Sequence, residues 1–216
     1  MEPLHKLSLL TIIGLVLFFS CEKNEELMDS QLCDNNFIYS ATADSKIYLK
    51  QSSSEIFIEF EQDSVTDDLA ELILSKYSFI DVNIEANNYN KICVRINESV
   101  AECTVVNDYL KILNEDDEIF SATPVFYLSE NDPDSYYILI SEVLTKNNEN
   151  LITESDFIEY AENLNLELIE AKYSTQHFKV KDVKTGFEAL ELANKIFESG
   201  MVKYSHPNSI MKIEHF

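Results

Sequence analysis

Apolar and polar positions in the second half of the chain recur with two different periods. Stretches rich in β-branched and aromatic residues, or alternating apolar with polar ones, predict strands, and apolar residues at helical spacing predict helices. The predicted strands are 136–143, 166–173, 177–183 and 201–205, and the predicted helices are 155–164 and 186–199. Gly200 stands where a helix C-terminus favours a left-handed residue. Pro207 is expected to end the last strand, which gives the order βαββαβ.

The first half repeats this order about 84 residues earlier. Its predicted strands are 56–60, 80–85, 91–96 and 119–121, and its predicted helices run from Thr66 or Asp67 to Lys76 and over 100–113. Pro124, which is expected to stop the fourth strand, precedes Pro207 by 83 residues, and the first strands and second helices show similar offsets. A short hairpin is predicted within 35–50. Generic α+β alternation without duplication is the alternative.

These elements predict an α+β protein with two tandem ferredoxin-like βαββαβ modules, each an antiparallel sheet with both helices on one face. One module of about 70–80 residues has a marginal core, so two copies are expected to pack together and bury the remaining apolar surface. The predicted modules span 35–130 and 131–216. They follow a predicted signal peptide at 1–20 and a flexible tether at 21–34.

The N-terminus has the features of an export signal. Lys6 precedes an apolar run over residues 7–19, which is too short for the roughly 20 residues that span a bilayer as a helix. The run ends in Ser20-Cys21 and resembles a lipobox, although Phe18 is bulkier than the usual leucine. The resemblance implies that Cys21 carries a lipid that holds the protein at the outer membrane of a Gram-negative bacterium. An uncleaved anchor, or a signal cleaved by the other signal peptidase, is the alternative.

The residues that follow Cys21 indicate on which side of the outer membrane the protein lies. The segment 22–26 reads Glu-Lys-Asn-Glu-Glu. It resembles the surface-export signal of Bacteroidota lipoproteins, which implies display at the cell surface. A plain acidic tether that leaves the protein in the periplasm is the alternative.

Composition excludes several classes of function. The net charge of −23 leaves no means of neutralising a row of phosphates, so no nucleic-acid partner is expected. With only three glycines, the chain has no phosphate-binding loop, nucleotide fingerprint or nucleophile elbow. We therefore expect a non-enzymatic protein that has no cofactor. The acidic run 115–118 lacks the alternating ligands and central glycine of a calcium loop, and no metal is expected.

Three cysteines remain besides Cys21. Cys93 falls in a predicted strand and Cys103 near the start of the next helix, and an exported protein can form disulfides. A Cys93–Cys103 bond is the specific hypothesis, which leaves Cys33 unpaired. Buried free thiols are the alternative.

The segment 189–208, ALELANKIFESGMVKYSHPN, resembles the end of the propeptide of secreted subtilisin-like serine proteases. A looser likeness extends over 136–208. The resemblance implies a βαββαβ fold whose sheet docks on the protease, with 209–216 as a tail that enters its cleft. The candidate protease-contacting residues are His206, Pro207, Asn208, Ile213 and Phe216.

The chain differs from this family in having no sequence element of the protease domain. The resemblance therefore does not imply protease activity. The expected function is a lipoprotein that binds or inhibits a subtilisin-like protease. The alternatives are an interaction lipoprotein with another cell-surface partner, and a truncated protease precursor without activity.

Overall fold

The computed structural model describes residues 35–40, 45–82, 90–97, 102–129, 132 and 134–211. The predicted signal peptide at 1–20, the predicted lipidation site Cys21 and all of the predicted tether at 21–34 lie outside this part of the chain. No helix within it has the length and apolar composition needed to cross a membrane.

The described residues form an α+β fold in which helices alternate with antiparallel strands. The strands are β1 (Phe37–Tyr39), β2 (Lys46–Tyr48), β3 (Lys50–Phe60), β4 (Ile80–Asp81), β5 (Lys91–Ile96), β6 (Ile119–Tyr127), β7 (Tyr136–Asn147), β8 (Leu166–Lys172), β9 (Thr175–Val180) and β10 (Val202–Met211). The helices are α1 (Asp67–Leu74), α2 (Cys103–Leu113), α3 (Glu154–Glu162) and α4 (Glu188–Glu198).

The two halves of the chain have the same strand order. In the first half, β3 lies between β5 and β6, and β4 pairs with the outer side of β5. In the second half, β7 lies between β9 and β10, and β8 pairs with the outer side of β9. In each half, therefore, the first strand is central and the second strand lies at the edge.

The halves join through their strands and form one eight-stranded sheet. Strand β6 pairs with β7 over three positions, Val125 with Ile138, Phe126 with Tyr137 and Tyr127 with Tyr136. The long strand β7 pairs with β10 along one edge, while its other edge pairs first with β6 and then with β9. The expectation of two separate sheets packed together is therefore wrong, because β7 is long enough to accept a strand from each half on the same edge.

The helices form because their apolar residues recur on one side and their ends are capped. Thr66 and Thr153 accept hydrogen bonds from the backbone N–H groups of Leu69 and Asp156, as N-cap residues do. Gly200, just beyond α4, has a φ of +72°, which confirms the left-handed position predicted for it.

Each pair of helices covers its own half of the sheet. The core of the first half packs α1 and α2 against β3 and β5, and the core of the second half packs α3 and α4 against β7, β8 and β9. The fully buried rings of Phe157 and Phe178 lie 6.2 Å apart, edge to face, in the second core. Since burying an aromatic side chain removes a large apolar area from water, this pair contributes strongly to the stability of that half.

Prolines do not end the strands in which they occur. Strand β6 runs through Pro124 to Tyr127, and β10 runs through Pro207 to Met211, so both predicted strand ends are wrong. Proline lacks the N–H donor of a ladder and is tolerated at edge strands and bulges. Irregular register adjoins both prolines, between Gln51 and Ile56 on the strand opposite Pro124 and between Pro207 and Ser209 in β10.

The predicted N-terminal hairpin is present as β1 and β2, and it docks on the second half. Tyr39 stacks on Phe197 with ring centroids 4.3 Å apart, and its hydroxyl donates to Glu198 at 2.7 Å. Asn194 donates from Nδ2 to the carbonyl of Phe37 at 2.8 Å. A third cluster of buried apolar residues joins the hairpin to the sheet junction and to α4; its members are Ile38, Leu49, Phe126, Tyr137, Leu139 and Leu190.

Candidate functional site

All four described helices lie on the same side of the sheet. Ile56 and Ile58 of β3 and Val143 of β7 point into the helix-covered cores. Because side chains alternate along a strand, the residues between them point to the other side. We call that other side the uncovered face, and it is the surface through which the propeptide resemblance implies docking.

An apolar row crosses the uncovered face at the junction of the two halves. Strand register places Val125 of β6 opposite Ile138 of β7, and Ile138 opposite Ile210 of β10. Tyr127 and Tyr136 form the adjacent pair, and the Tyr127 hydroxyl donates to Glu55 at 2.5 Å. Val125 is buried, whereas Ile210 is 37% exposed, so the row becomes more accessible toward β10. We call Val125, Ile138 and Ile210 the junction row.

A polar cluster lies beside the junction row on the same face. One carboxylate oxygen of Glu142 is 2.7 Å from Nε2 of His177 and accepts a hydrogen bond from Nδ2 of Asn208 at 2.7 Å. These three residues come from β7, β9 and β10. The cluster therefore ties three strands together through one carboxylate and presents polar groups next to apolar ones.

Two further cations belong to the uncovered face. Nζ of Lys179 lies 3.5 Å from the ring centroid of Phe120, which is a cation–π geometry. Lys91 lies 3.6 Å from the carboxylate of Glu59. Lys179 and Phe120 come from different halves of the chain, so this contact adds to the junction that β6 and β7 form.

Glu59 is buried, and this burial determines how its carboxyl group titrates. Burial raises its pKa above the ordinary value of 4.5, while Lys91 and Lys179 act in the opposite direction. The folded protein therefore holds the Glu59 proton more tightly than the unfolded chain. The stability that Glu59 contributes is fully present below pH 4.5 and is lost as the pH rises through the folded pKa.

We expect the Glu59→Gln variant to gain stability relative to the wild type as the pH rises from 4 to 7. Glutamine cannot ionise, so the loss described above is removed, while the other carboxyl groups titrate alike in both proteins. Urea unfolding of both proteins across this pH range measures the difference in the free energy of unfolding. A difference that shrinks with rising pH would contradict the expectation.

Three of the five predicted protease-contacting residues lie within the sheet. His206, Pro207 and Asn208 belong to β10, whose ladder with β7 continues to Met211 opposite Tyr137. The expectation that a tail leaves the sheet at residue 209 is therefore wrong for 209–211, because β7 extends far enough to pair with them. Ile213 and Phe216 lie outside the described residues.

The three residues of β10 have different environments. Pro207 is buried opposite Val143, on the helix-covered side. Asn208 belongs to the Glu142 cluster, as described above. His206 lies opposite Leu144, and burial lowers the pKa of its imidazole, which keeps it neutral at neutral pH.

The predicted Cys93–Cys103 disulfide is wrong. Cys93 is a free thiol, whereas Cys103 is disulfide-bonded. Cys93 is exposed and lies between Ile92 and Val94, which point to the helices, so its own side chain points to the uncovered face. Cys103 is buried at the start of α2, on the opposite side of the sheet. The sheet itself therefore separates the two sulfur atoms.

Cys93 is poorly suited to act as a nucleophile. Desolvation, and after it the Glu55 carboxylate, raise the pKa of the thiol to about 11. A thiol with such a pKa is almost entirely protonated at neutral pH, and only the thiolate attacks. Among the side chains that the structure describes, no group of three or more His, Cys, Asp or Glu residues is placed to hold a metal ion.

No protein-family model matches the sequence, and no curated protein is significantly similar to it. Sequence reasoning did not find the Glu142 cluster or the junction row. The alternating pattern of 136–147 could have assigned Glu142 and Ile138 to the same face. Their partners on β6, β9 and β10 depend on register between distant strands, which no short-range pattern specifies.

Proposed function

We propose that the chain is a non-enzymatic lipoprotein built of two ferredoxin-like modules that binds or inhibits a subtilisin-like protease. A lipid on Cys21 tethers it to the outer membrane. The uncovered face is the binding surface. In this role the protein acts as a stand-alone relative of the propeptides that accompany such proteases.

One observation carries the proposal. The four described helices lie on one side of the sheet, and the other side combines an apolar row with a polar cluster. The βαββαβ order and the strand order of each half support the proposal of ferredoxin-like modules. An apolar strip bordered by polar groups is a common composition for a protein-binding surface.

The junction row would supply the apolar contact, and the Glu142 cluster would fix the orientation of the partner. Ile210 and Met211, at the end of β10, are among the exposed large apolar residues of the structure. Residues 212–216 follow Met211 in the sequence. In this arrangement Ile213 and Phe216 are the candidate anchors of the tail, with strand-like contacts of the kind that extended peptides make.

A second candidate function is an interaction lipoprotein that binds a cell-surface partner other than a protease. The continuity of the sheet favours it, because one surface runs across both halves through the pairing of β6 with β7. That surface is larger than a single module would offer. The tail has no required part in this function. A truncated protease precursor without activity would use neither the uncovered face nor the tail.

An inhibition assay tests the first candidate. Purified residues 22–216 should slow a subtilisin-like protease at micromolar concentration or below, and a stable complex should be isolated by gel filtration. Deleting 212–216 should weaken inhibition if the tail enters the cleft, and should leave binding unchanged if the face alone recognises the partner. Simple digestion of the protein, with neither a lag nor a complex, would remove the first candidate.

A charge placed on the junction row should weaken binding. We expect Ile210→Glu to raise the inhibition constant about tenfold or more, since a buried charge without a partner costs at least about 1.4 kcal/mol at an interface. Ile112→Glu is the matched control, because Ile112 is 45% exposed on α2, away from the uncovered face. Circular dichroism confirms that both variants fold. Equal loss of inhibition in both would show that the row is not the contact.

A further inference from the structure

We propose that the uncovered face binds the uncovered face of a second copy of this chain, in a two-fold symmetric dimer. In this dimer Glu142 of each copy lies against Lys179 of the other, and Ile138 packs against Val125 of the other. The distribution of charge over the two sides of the sheet selects this face, and the strand register selects these contacts.

The helix side of the sheet is strongly acidic. The four described helices contain eleven carboxylates and only two cations. The carboxylates are Asp67, Asp68, Glu71, Asp108, Glu154, Asp156, Glu159, Glu162, Glu188, Glu191 and Glu198, and the cations are Lys111 and Lys195. Two copies that met through their helices would therefore bring like charges together, which opposes association.

The uncovered face has no net charge. Among the strand residues that the structure describes, alternation and register assign six carboxylates and six cations to it, without Lys203 at the register shift of β10. The carboxylates are Glu55, Glu59, Asp81, Glu142, Glu167 and Glu170, and the cations are Lys50, Lys91, Arg95, Lys146, Lys172 and Lys179. Opposite signs alternate between adjacent strands, as where Glu55 stands opposite Arg95. In a chain of net charge −23, this face can meet a copy of itself without net repulsion.

Strand β7 and the strands on the edge that β6 and β9 share provide the self-complementary contacts. Glu142 of β7 stands opposite Lys179 of β9, and Ile138 of β7 stands opposite Val125 of β6. A two-fold axis parallel to β7, running between it and these neighbours, exchanges the two positions of each pair. Glu142 therefore faces Lys179 of the second copy, and this contact is made twice. Lys179 is available for it, because among the described residues its ammonium contacts the ring of Phe120 and forms no ion pair.

The size of the uncovered face is sufficient for a stable dimer. Five adjacent strands, from β5 through β3, β6 and β7 to β10, contribute to it, and β7 has 12 residues. Strand spacing and rise give an area on the order of 900 Å², close to the roughly 800 Å² per partner of a standard interface. Two sheets stacked face to face interdigitate their side chains about 10 Å apart, so the junction row of each copy becomes buried.

Self-association would also regulate the binding site of the proposed function. The dimer covers the face that the proposed function assigns to a protease, so the protease must displace the second copy. Only this consequence rests on the proposed function. The dimer itself follows from charge and register alone.

Reciprocal charge reversal tests the dimer. Two differently tagged copies of the full chain are co-expressed and extracted in detergent, one tag is captured, and the other is quantified. Two wild-type copies should co-purify. Two Lys179→Glu copies, or two Glu142→Lys copies, should co-purify at least fivefold less, because like charges then face each other twice. Lys179→Glu together with Glu142→Lys should return to the wild-type level. Each chain keeps its own internal change in that mixture, so recovery requires a contact between chains.

Lys195→Glu is the matched control, because it makes the same change of charge at an exposed position of α4 and should co-purify like the wild type. Circular dichroism checks folding, and if Glu142→Lys does not fold, Ile138→Glu is the second variant and should lose co-purification. Wild-type copies that do not co-purify, a reciprocal pair no better than the single variants, or an equal loss in Lys195→Glu would overturn the inference. A wild type that self-associates but does not slow a subtilisin-like protease would count only against the proposed function.

Discussion

Replacing Gly186 with alanine should destabilise the protein by about 2–4 kcal/mol, because both the backbone conformation and the space at this position require glycine. Gly186 has a φ of +82°, in the left-handed region that side chains disfavour. A Cβ there would lie less than 3.0 Å from the carbonyl oxygen of Ala122 and 3.2 Å from Cα of Thr123. These are backbone atoms of β6, so they have no rotamer with which to move aside.

The surroundings of Gly186 prevent relief of this overlap. On one side, Ala122 is held in the pairing of β6 with β3, opposite Ile58. On the other side, the carboxylate of Glu188 accepts hydrogen bonds from the backbone N–H groups of three successive residues at 2.8 to 3.0 Å; these are Lys184, Thr185 and Gly186. The contact joins a loop of the second half to a strand of the first, so the variant also tests the junction of the two halves.

Gly200→Ala is the matched control for this prediction. Gly200 has a similar φ of +72°, but no atom lies within 4 Å of the Cβ that alanine would add. The Gly200→Ala variant should lose about 1 kcal/mol of unfolding free energy, from the backbone conformation alone. Chemical unfolding of both variants in one buffer gives the two free energies. Equal losses would mean that Gly186 does not make the close approach to β6.

Phe126→Ala should cost about 3–5 kcal/mol, the usual range for removing a fully buried aromatic ring. Phe126 is completely buried at the junction. Its neighbours come from both halves and from the N-terminal hairpin; they are Ile38, Leu49, Tyr137, Leu139 and Leu190, with the ring of Phe187 at a centroid distance of 6.2 Å. A cavity there removes packing from three parts of the chain at once.

Unfolding in guanidinium chloride should show a lower midpoint for Phe126→Ala. Hydrogen exchange should also be faster in β1 and β2, because the hairpin loses an apolar surface on which it packs. Tyr48→Ala is the control, since Tyr48 belongs to the same hairpin and is 56% exposed. It should cost no more than about 1 kcal/mol. If both variants lose equal stability, the hairpin does not depend on the junction core.

Strand and helix order could be read from the sequence because it rests on short-range periodicity. Burial alternates without interruption along Tyr136–Asn147, and Phe157 and Ala161 lie buried four positions apart on α3. These spacings follow from the pitch of each element, so they identify the core face before any tertiary contact is known. Thr153 and Gly200 mark helix ends by equally local rules.

The errors concern how the strands pair and which side of the sheet a residue occupies. A proline such as Pro207 is expected to end a ladder, but the ladder continues when the strand is an edge strand and the register shifts beside it. Cys93 and Cys103 are close in sequence, yet they lie on opposite sides of the sheet. The Glu142 cluster unites three strands whose relative register the sequence does not state.

The sequence by itself therefore determined the order of elements, the apolar side of the two helices in the second half, the start of α1 and the end of α4, because each depends on residues within a few positions of one another. Only the tertiary structure decided that β6 joins β7 in a single sheet, that the junction row and the Glu142 cluster share the uncovered face, and that Cys103 does not pair with Cys93. Those features depend on which strand edges are free and in what register they meet. That choice is made by the packing of the whole chain, since a one-residue change in register exchanges the two faces of a strand.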